Sequence, residues 1–220
     1  MSPNEGGPEV VWTVVVAAGG GSRFGGAKQY EVVGGRRVLD RSVDVARSAS
    51  AGVVVVVPAD DAERERAVAG GRTRSASVRA GLAHVPADAT IVCVHDAARP
   101  FATVGLYASV VAAVRAGADG AVPGVAVTDT MKVVAADRSV VDTPERSTLV
   151  AVQTPQAFRA SVLRAAHRSR ADGTDDAALV EARGGHVVVV EGELDNRKIT
   201  VPADLEWARA HVAAPHGAPA

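Results

Sequence analysis

Val11-Trp12-Thr13-Val14-Val15-Val16-Ala17-Ala18-Gly19-Gly20-Gly21-Ser22-Arg23-Phe24-Gly25-Gly26-Ala27-Lys28-Gln29 is the stretch whose reading decides the fold. Its first part is a short run of β-branched and small residues, the composition of a strand buried on both faces. Its second part carries five glycines in the eight residues 19–26, with Arg23 and Lys28 as the nearest cations. Glycines let the backbone take φ > 0 and approach a ligand closely, so successive N–H groups can surround phosphate oxygens. The two cations add full charge to such a cradle. A flexible strand-to-helix turn would also be glycine-rich; the cations within the loop favour phosphate binding.

Two familiar nucleotide loops do not fit. A Walker A loop needs Gly-Lys-Ser/Thr, and Lys28 is followed by Gln29. A dinucleotide loop needs a third glycine where Phe24 stands, and the next strand ends at Val57, too far on for its acidic partner. A nicotinamide oxidoreductase is disfavoured on that spacing.

Outward from this stretch, Val-rich runs alternate with helical patterns. Strands are expected over 11–17, 53–57, 90–95, 120–122 and 186–190. Helices are expected over 38–48, 77–84, 104–115, 159–168 and 175–182, with a last one starting near Pro202, a good first-turn residue. Such alternation implies right-handed crossovers, a mostly parallel sheet flanked by helices, and ligands at the carboxyl ends of the strands. Residues 125–153 break the pattern with short β-branched runs and polar turns. They read as a β-arm, serving either as an oligomer contact or as a plain edge hairpin. Residues 1–9 and 213–220 read as flexible tails around one folded unit over 10–212.

At 220 residues, 47% of them hydrophobic and 3% aromatic, the chain can build one large α/β core, filled by small branched side chains. With 24 basic against 25 acidic residues it lacks the basic excess of a protein that lives on nucleic acid or an anionic membrane, so phosphate affinity must be local. The single cysteine, Cys93, sits in the apolar run 91–94 and reads as a core residue; it excludes an intramolecular disulfide framework. A polar N-terminus and the lack of any apolar run near ~18 residues point to the cytoplasm.

The third expected strand ends in His95-Asp96-Ala97-Ala98-Arg99-Pro100. A carboxylate at a strand's carboxyl end, opposite a phosphate loop, suits Mg2+, which takes one or two carboxylates plus substrate phosphates. Asp96 fits that role, with a helix cap as the alternative; Arg99 could hold a second phosphate. His95, its neighbour, faces the other way on an extended backbone and reads as structural. The six histidines form no His-x-x-x-His or Cys-x-x-Cys pair, so zinc and haem have little support. Asp175-Asp176 read as the start of a helix rather than a paired-carboxylate site.

Several motifs in order resemble the 2-C-methyl-D-erythritol 4-phosphate cytidylyltransferase family. They are Ala17-Ala18-Gly19 with Arg23 and Lys28-Gln29, then Gly70-Gly71-Arg72-Thr73-Arg74-Ser75-Ala76-Ser77-Val78, then the His95–Pro100 run. Thr128-Asp129-Thr130-Met131-Lys132, Gln153-Thr154-Pro155-Gln156, Thr174-Asp175-Asp176 and Asp195-Asn196-Arg197-Lys198-Ile199-Thr200 follow. The resemblance covers about 11–210.

It implies a Rossmann-like nucleotidyltransferase fold, use of CTP, Mg2+ and a small sugar-alcohol phosphate, and a homodimer formed through the arm. On these matches Arg23 and Lys28 would contact the CTP phosphates and stabilise the transition state. The loop of Ala17, Ala18, Gly19, Gly20, Gly21 and Ser22, with Gly71, Ser77 and Ala97, would hold CTP, and Asp96 the metal. Arg99, Thr130, Arg146, Thr174, Asp195 and Lys198 would surround the sugar phosphate, some of them across the dimer interface; read alone, Thr130, Arg146 and Thr174 are ordinary surface residues. The 23–28 loop looks shorter than in many relatives, and Ala27 stands where proline usually precedes the lysine, which leaves the loop less rigid. A cytidylyltransferase for another alditol phosphate, such as ribitol 5-phosphate, shares the plan and the Gln-Thr-Pro-Gln motif, but the His95–Pro100 run is more similar to the methylerythritol enzymes. A non-catalytic nucleotide-binding module is the reading from a different class.

The chemistry asks little of general bases. A phosphate monoester has its second pKa near ~6 and is already a dianionic nucleophile at neutral pH. The protein must bring two polyanions into line and neutralise the charge that develops, by positioning and electrostatics.

Overall fold

The structure, a computed structural model, describes residues 9–21 and 23–213; Ser22 and the tail residues 1–8 and 214–220 lie outside that description, and with them the expectations made for them. In chain order the strands are β1 (Val11–Val16), β2 (Val32–Val33), β3 (Arg36–Arg37), β4 (Gly52–Val57), β5 (Val68–Ala69), β6 (Ile91–Asp96), β7 (Gly120–Ala126), β8 (Val133–Val134), β9 (Val140–Asp142), β10 (Val150–Val152), β11 (Gln156–Arg159) and β12 (Val187–Glu191). The helices are α1 (Val38–Ala49), α2 (Ala62–Glu65), α3 (Arg74–Leu82), α4 (Val104–Arg115), α5 (Ala160–Arg168), α6 (Asp176–Glu181) and α7 (Pro202–Ala213).

The three six-residue Val-rich runs make the centre of the sheet. β1 pairs in parallel with β4 on one side and β6 on the other, with Val14 opposite both Val54 and Val94. Period-two alternation sends Val14, Val54, Val56, Val92 and Val94 to one face, where α3, α5 and α6 cover them. Val15, Ile91 and Cys93 point to the other face, under α1 and α4. Each buried Val or Leu side chain stabilises the fold by about 1.5–3 kcal/mol relative to exposure. With few aromatics available, close approach does the packing: a Cβ on Gly81 of α3 would lie 2.5 Å from Val14 Cγ1, so this glycine seats the helix directly on β1. Cys93 is fully buried and its thiol pKa is pushed up to about 12 by burial, as a core cysteine's should be.

Several boundaries differ from the sequence expectations. The fourth expected strand runs on to Ala126 through Pro123. It pairs in parallel with β12 and antiparallel with β10 and β11, and the β10–β11 register shifts across residues 153–155. Pro123, which has no N–H to give, sits opposite that irregularity. The arm is therefore shorter than 125–153: its two ends belong to the main sheet, and the projecting part carries the β8–β9 pair. β11 was not foreseen. It is four residues, Gln-Ala-Phe-Arg, with too few apolar positions to show a period, yet it fills the slot between β6 and β7 and runs antiparallel to both. Helix α3 starts at Arg74, not Ser77, because the Thr73 side chain accepts from Ala76 N–H (3.1 Å) and caps it. Glu9, assigned to the N-terminal tail, forms an ion pair with Arg115 of α4 (2.6 Å), and Ala213 closes α7. Among the described residues no helix is long and apolar enough to cross a membrane.

Candidate active site

A cleft of about 350 Å³ opens at the carboxyl ends of β1, β5 and β6, where a sheet of this topology should place it. The loops leaving these strands are pinned by continuing the ladder: Ala17 N–H donates to Val56 O (2.7 Å), Ala97 N–H to Val16 O (2.9 Å) and Gly70 N–H to Val57 O (2.8 Å). Gly21, at φ +63°, accepts from the Phe24 and Gly25 N–H groups, so the glycine-rich loop folds back on itself. Phe24 packs against the cluster formed by Val33, Val38, Ile199, Leu205 and Ala208, which ties the loop to α7. Lys28 then enters a short 3-10 turn.

Five basic residues line the cleft (Arg23, Lys28, Arg72, Arg74 and Lys198) against one acid, Asp96. The near-neutral chain has thus concentrated its positive charge where the sequence expected phosphate. Asp96 is buried; Arg74 Nε donates to its Oδ1 (3.0 Å) and Lys198 Nζ to its Oδ2 (2.5 Å). Burial works to raise the Asp96 pKa, but the Arg74 and Lys198 charges outweigh it and hold the carboxyl well below the usual carboxylate range. Lys28 shows the opposite balance: burial first, then the Lys198 and Arg23 charges, lower its pKa. Among the described residues it has no ion-pair partner. A group of like charges held this close, without enough anions, is what a polyanion completes.

The Asp96 backbone is fixed as well. Its N–H donates to Thr154 Oγ1 (3.0 Å), and that oxygen lies 3.2 Å from His95 Nδ1. His95 Nε2 lies 3.1 Å from the Arg99 carbonyl, which only accepts, so Nε2 carries the hydrogen and the Thr154 hydroxyl donates to Nδ1. Burial lowers the His95 pKa to about 4, which keeps the ring neutral at pH 7. His95 is structural, as expected, and faces Tyr107 of α4.

Ala17, Ala18, Gly19, Gly20, Gly21, Arg23, Lys28, Gly71, Ser77, Asp96, Ala97 and Lys198 all line the cleft. Ser77 Oγ accepts from Gly71 N–H (3.1 Å) and donates to Thr73 O (3.0 Å), closing the turn into α3. The remaining expected residues are elsewhere in the single chain. The Arg99 guanidinium donates to Asn196 O (2.7 Å) and Val152 O (3.2 Å), holding the loop that presents Lys198. Thr130 and Arg146 are exposed on the arm, where Arg146 Nη1 donates to Thr128 O (3.0 Å). Thr174 and Asp195 are exposed, on the segments before α6 and before Asn196. Sequence reasoning did not single out Arg74, although it lies in the quoted 70–78 run. Its signal was a cation at the first position of a helix, behind the Gly70-Gly71 turn and the Thr73 cap.

Residues 11–214 match the sequence family of 2-C-methyl-D-erythritol 4-phosphate cytidylyltransferase. The chain belongs to this family. It is 47% identical over 216 residues to the 2-C-methyl-D-erythritol 4-phosphate cytidylyltransferase of Rhodococcus opacus, covering 92% of this chain and 95% of that one. It is 45% identical to a bifunctional IspD/IspF enzyme of Anaeromyxobacter dehalogenans, over 94% of this chain and 58% of the relative. Against the two-function relatives, then, the chain spans about half their length. The crystal structure of the Anaerococcus prevotii 4-diphosphocytidyl-2C-methyl-D-erythritol synthase superposes with a TM-score of 0.83 at 28% identity, covering 94% of this chain and 99% of that one. The Thermus thermophilus cytidylyltransferase superposes at 0.77 with 36% identity, covering 91% and 98%. The mostly parallel, helix-flanked sheet is the fold of these nucleotidyltransferases.

Proposed function

We propose that the protein transfers the cytidylyl group of CTP to the phosphate of 2-C-methyl-D-erythritol 4-phosphate and releases pyrophosphate. The observation that carries this reading is the convergence of Arg23, Lys28 and Lys198 around one anchored carboxylate, Asp96, beside a glycine-rich loop. The glycine-rich loop and the Gly71–Ser77 turn hold CTP. Lys28 and Arg23 face the triphosphate and stabilise charge on the α-phosphorus and the leaving pyrophosphate. The acceptor phosphate is a dianion near neutral pH and attacks without a general base. Lys198 is near enough to Asp96 to serve the acceptor phosphate once CTP has entered.

Mg2+ fits the donor set. Asp96 is the one acid in the cleft lining and is held ionised, and an ion that keeps phosphate and water ligands needs no more from the protein. Among the described residues there is no cluster of three or more acids, histidines or cysteines, which argues for that substrate-dependent mode of holding the ion. Bound there, Mg2+ supplies charge neutralisation on the triphosphate.

A homodimer through the arm completes the acceptor site in this reading. The arm exposes Met131, Val133, Val134, Val140 and Val141, and Thr130 and Arg146 on it do not line the cleft of their own chain. The reaction takes place in the cytoplasm. Pyrophosphate release from CTP and Mg2+, comparing methylerythritol 4-phosphate with ribitol 5-phosphate, tests the assignment. Release with the first and its abolition by EDTA is the expected result. Preference for the second acceptor overturns the substrate, and no release with either overturns the reaction.

A further inference from the structure

Behind Asp96 a line of ion pairs leads away from the cleft. Arg74 donates through Nε to Asp96 Oδ1 (3.0 Å) and through Nη1 to Asp176 Oδ2 (2.7 Å). Asp176 opens α6 and is fully buried. Its other oxygen lies 2.9 Å from His167 Nε2 of α5. An ionised carboxylate only accepts, so this ring nitrogen carries the hydrogen. Neither Asp176 nor His167 lines the cleft, and the reaction as argued above makes no use of either.

The guanidinium is divided between two carboxylates. A single arginine and a single carboxylate prefer two parallel N–H···O bonds. Arg74 Nη2 is buried with no hydrogen-bond partner among the described residues, so the second tooth of that fork is available. Without Asp176, Arg74 would be free to turn Nε and Nη2 together onto Asp96 and take both its oxygens. With Asp176 in place one Asp96 oxygen is left to Lys198, a half-buried side chain on a loop, which can exchange for another cation.

We propose that Asp176, oriented by His167, is a positioning residue: by sharing Arg74 it keeps one Asp96 oxygen open to the divalent cation that accompanies CTP. The inference rests on the cytidylyltransferase reading. Its test is Asp176→Asn, with calorimetric CTP binding measured in EDTA and in Mg2+ beside the Mg2+ dependence of turnover. The Mg2+ concentration for half-maximal activity should rise about 10-fold, with turnover largely restored at high Mg2+. Metal-free CTP should bind roughly 3- to 10-fold tighter, since one positive charge near the phosphates loses its counter-ion. A merely structural role predicts weaker CTP binding in both conditions and no rescue by Mg2+, and that result overturns the proposal. If the Asn variant does not fold, Asp176→Glu keeps the charge and displaces it by one methylene. Its half-activation by Mg2+ should rise several-fold with metal-free binding within about twofold of wild type; an unchanged half-activation refutes the idea. Failure of the wild-type protein to bind CTP at all would instead remove the reading beneath it.

Discussion

Lys28→Met should separate catalysis from stability, because the two pull on this residue in opposite directions. The substitution keeps a long flexible side chain and removes the charge. In the free protein that charge is a burden: burial, Lys198 and Arg23 all lower the Lys28 pKa below its ordinary 10.5. The sign follows directly. Between the folded and unfolded pKa values the unfolded chain binds more protons, so stability rises with pH there, and below the folded value the full cost of the charged form is present. Removing it should leave the melting temperature unchanged or slightly higher; with Lys28 only half-buried, solvent screening keeps the gain small. Turnover should move the other way. One preorganised donor aimed at developing charge is worth about 10²–10³-fold in turnover, about 2.7–4 kcal/mol. Steady-state pyrophosphate release and thermal unfolding on the same preparation read both quantities. A variant within tenfold of wild-type turnover would show that Lys28 does not face the reacting phosphates. One that melts well below wild type would show that its charge is satisfied in the free protein.

Other perturbations test the supports of the site. Asp96→Asn should lose stability at pH 7, toward the lower end of the about 3–5 kcal/mol typical of a broken buried pair, because Arg74 keeps Asp176. Since folding lowers the Asp96 pKa well below its unfolded value, its contribution is fully present above that unfolded value and is lost only as pH falls through the folded one; the gap in melting temperature between variant and wild type should therefore hold down to about pH 5, narrow below it, and still be open at about pH 3. Thr154→Val removes the hydroxyl between Asp96 N–H and His95 Nδ1 and should cost about 1–3 kcal/mol in urea unfolding. Gly70→Ala would put a Cβ 2.3 Å from that of Ala18 and 3.0 Å from Ser77 Oγ. It should destabilise by about 1–3 kcal/mol and weaken CTP binding by calorimetry, as the two loops are forced apart; unaltered binding would place the nucleotide away from this turn.

The sheet was legible where a strand is buried on both faces. Residues 11–16, 53–57 and 91–94 are apolar at every position except Thr13, so no register or partner had to be known to find them. β11 was not legible, because a four-residue strand held between two neighbours draws its stability from their hydrogen bonds rather than from its own pattern. Pro123 hid the end of β7 for a related reason: its tolerance depends on a shift in the strand opposite. At the site, glycines and cations following a strand revealed the loop, and a terminal carboxylate revealed Asp96. Arg74 and Asp176 escaped because their roles come from pairing across 102 residues of chain, which no local spacing records.

That long-range pairing explains why the cleft can hold so much positive charge and still fold. Arg74 is balanced from behind by Asp176 and in front by Asp96, so its charge is largely spent inside the protein. Lys198 has a different standing. The residues beside it are fixed: Asn196 is buried, with its side chain donating to Gln153 Oε1 and Thr154 O, and Ile199 N–H donates to Ala98 O (2.8 Å). Its own side chain is partly exposed and has a single anion to leave among the described residues. A rigid base with a movable tip suits a cation that must first keep Asp96 ionised and then give it up. Lys28, without an ion-pair partner among the described residues, has no such first duty, and in the proposed reaction its charge would be available from the outset to the phosphates. The three cations are thus graded by how firmly the fold holds them, from Arg74 through Lys198 to Lys28. The ones held least are those the proposed reaction would use most.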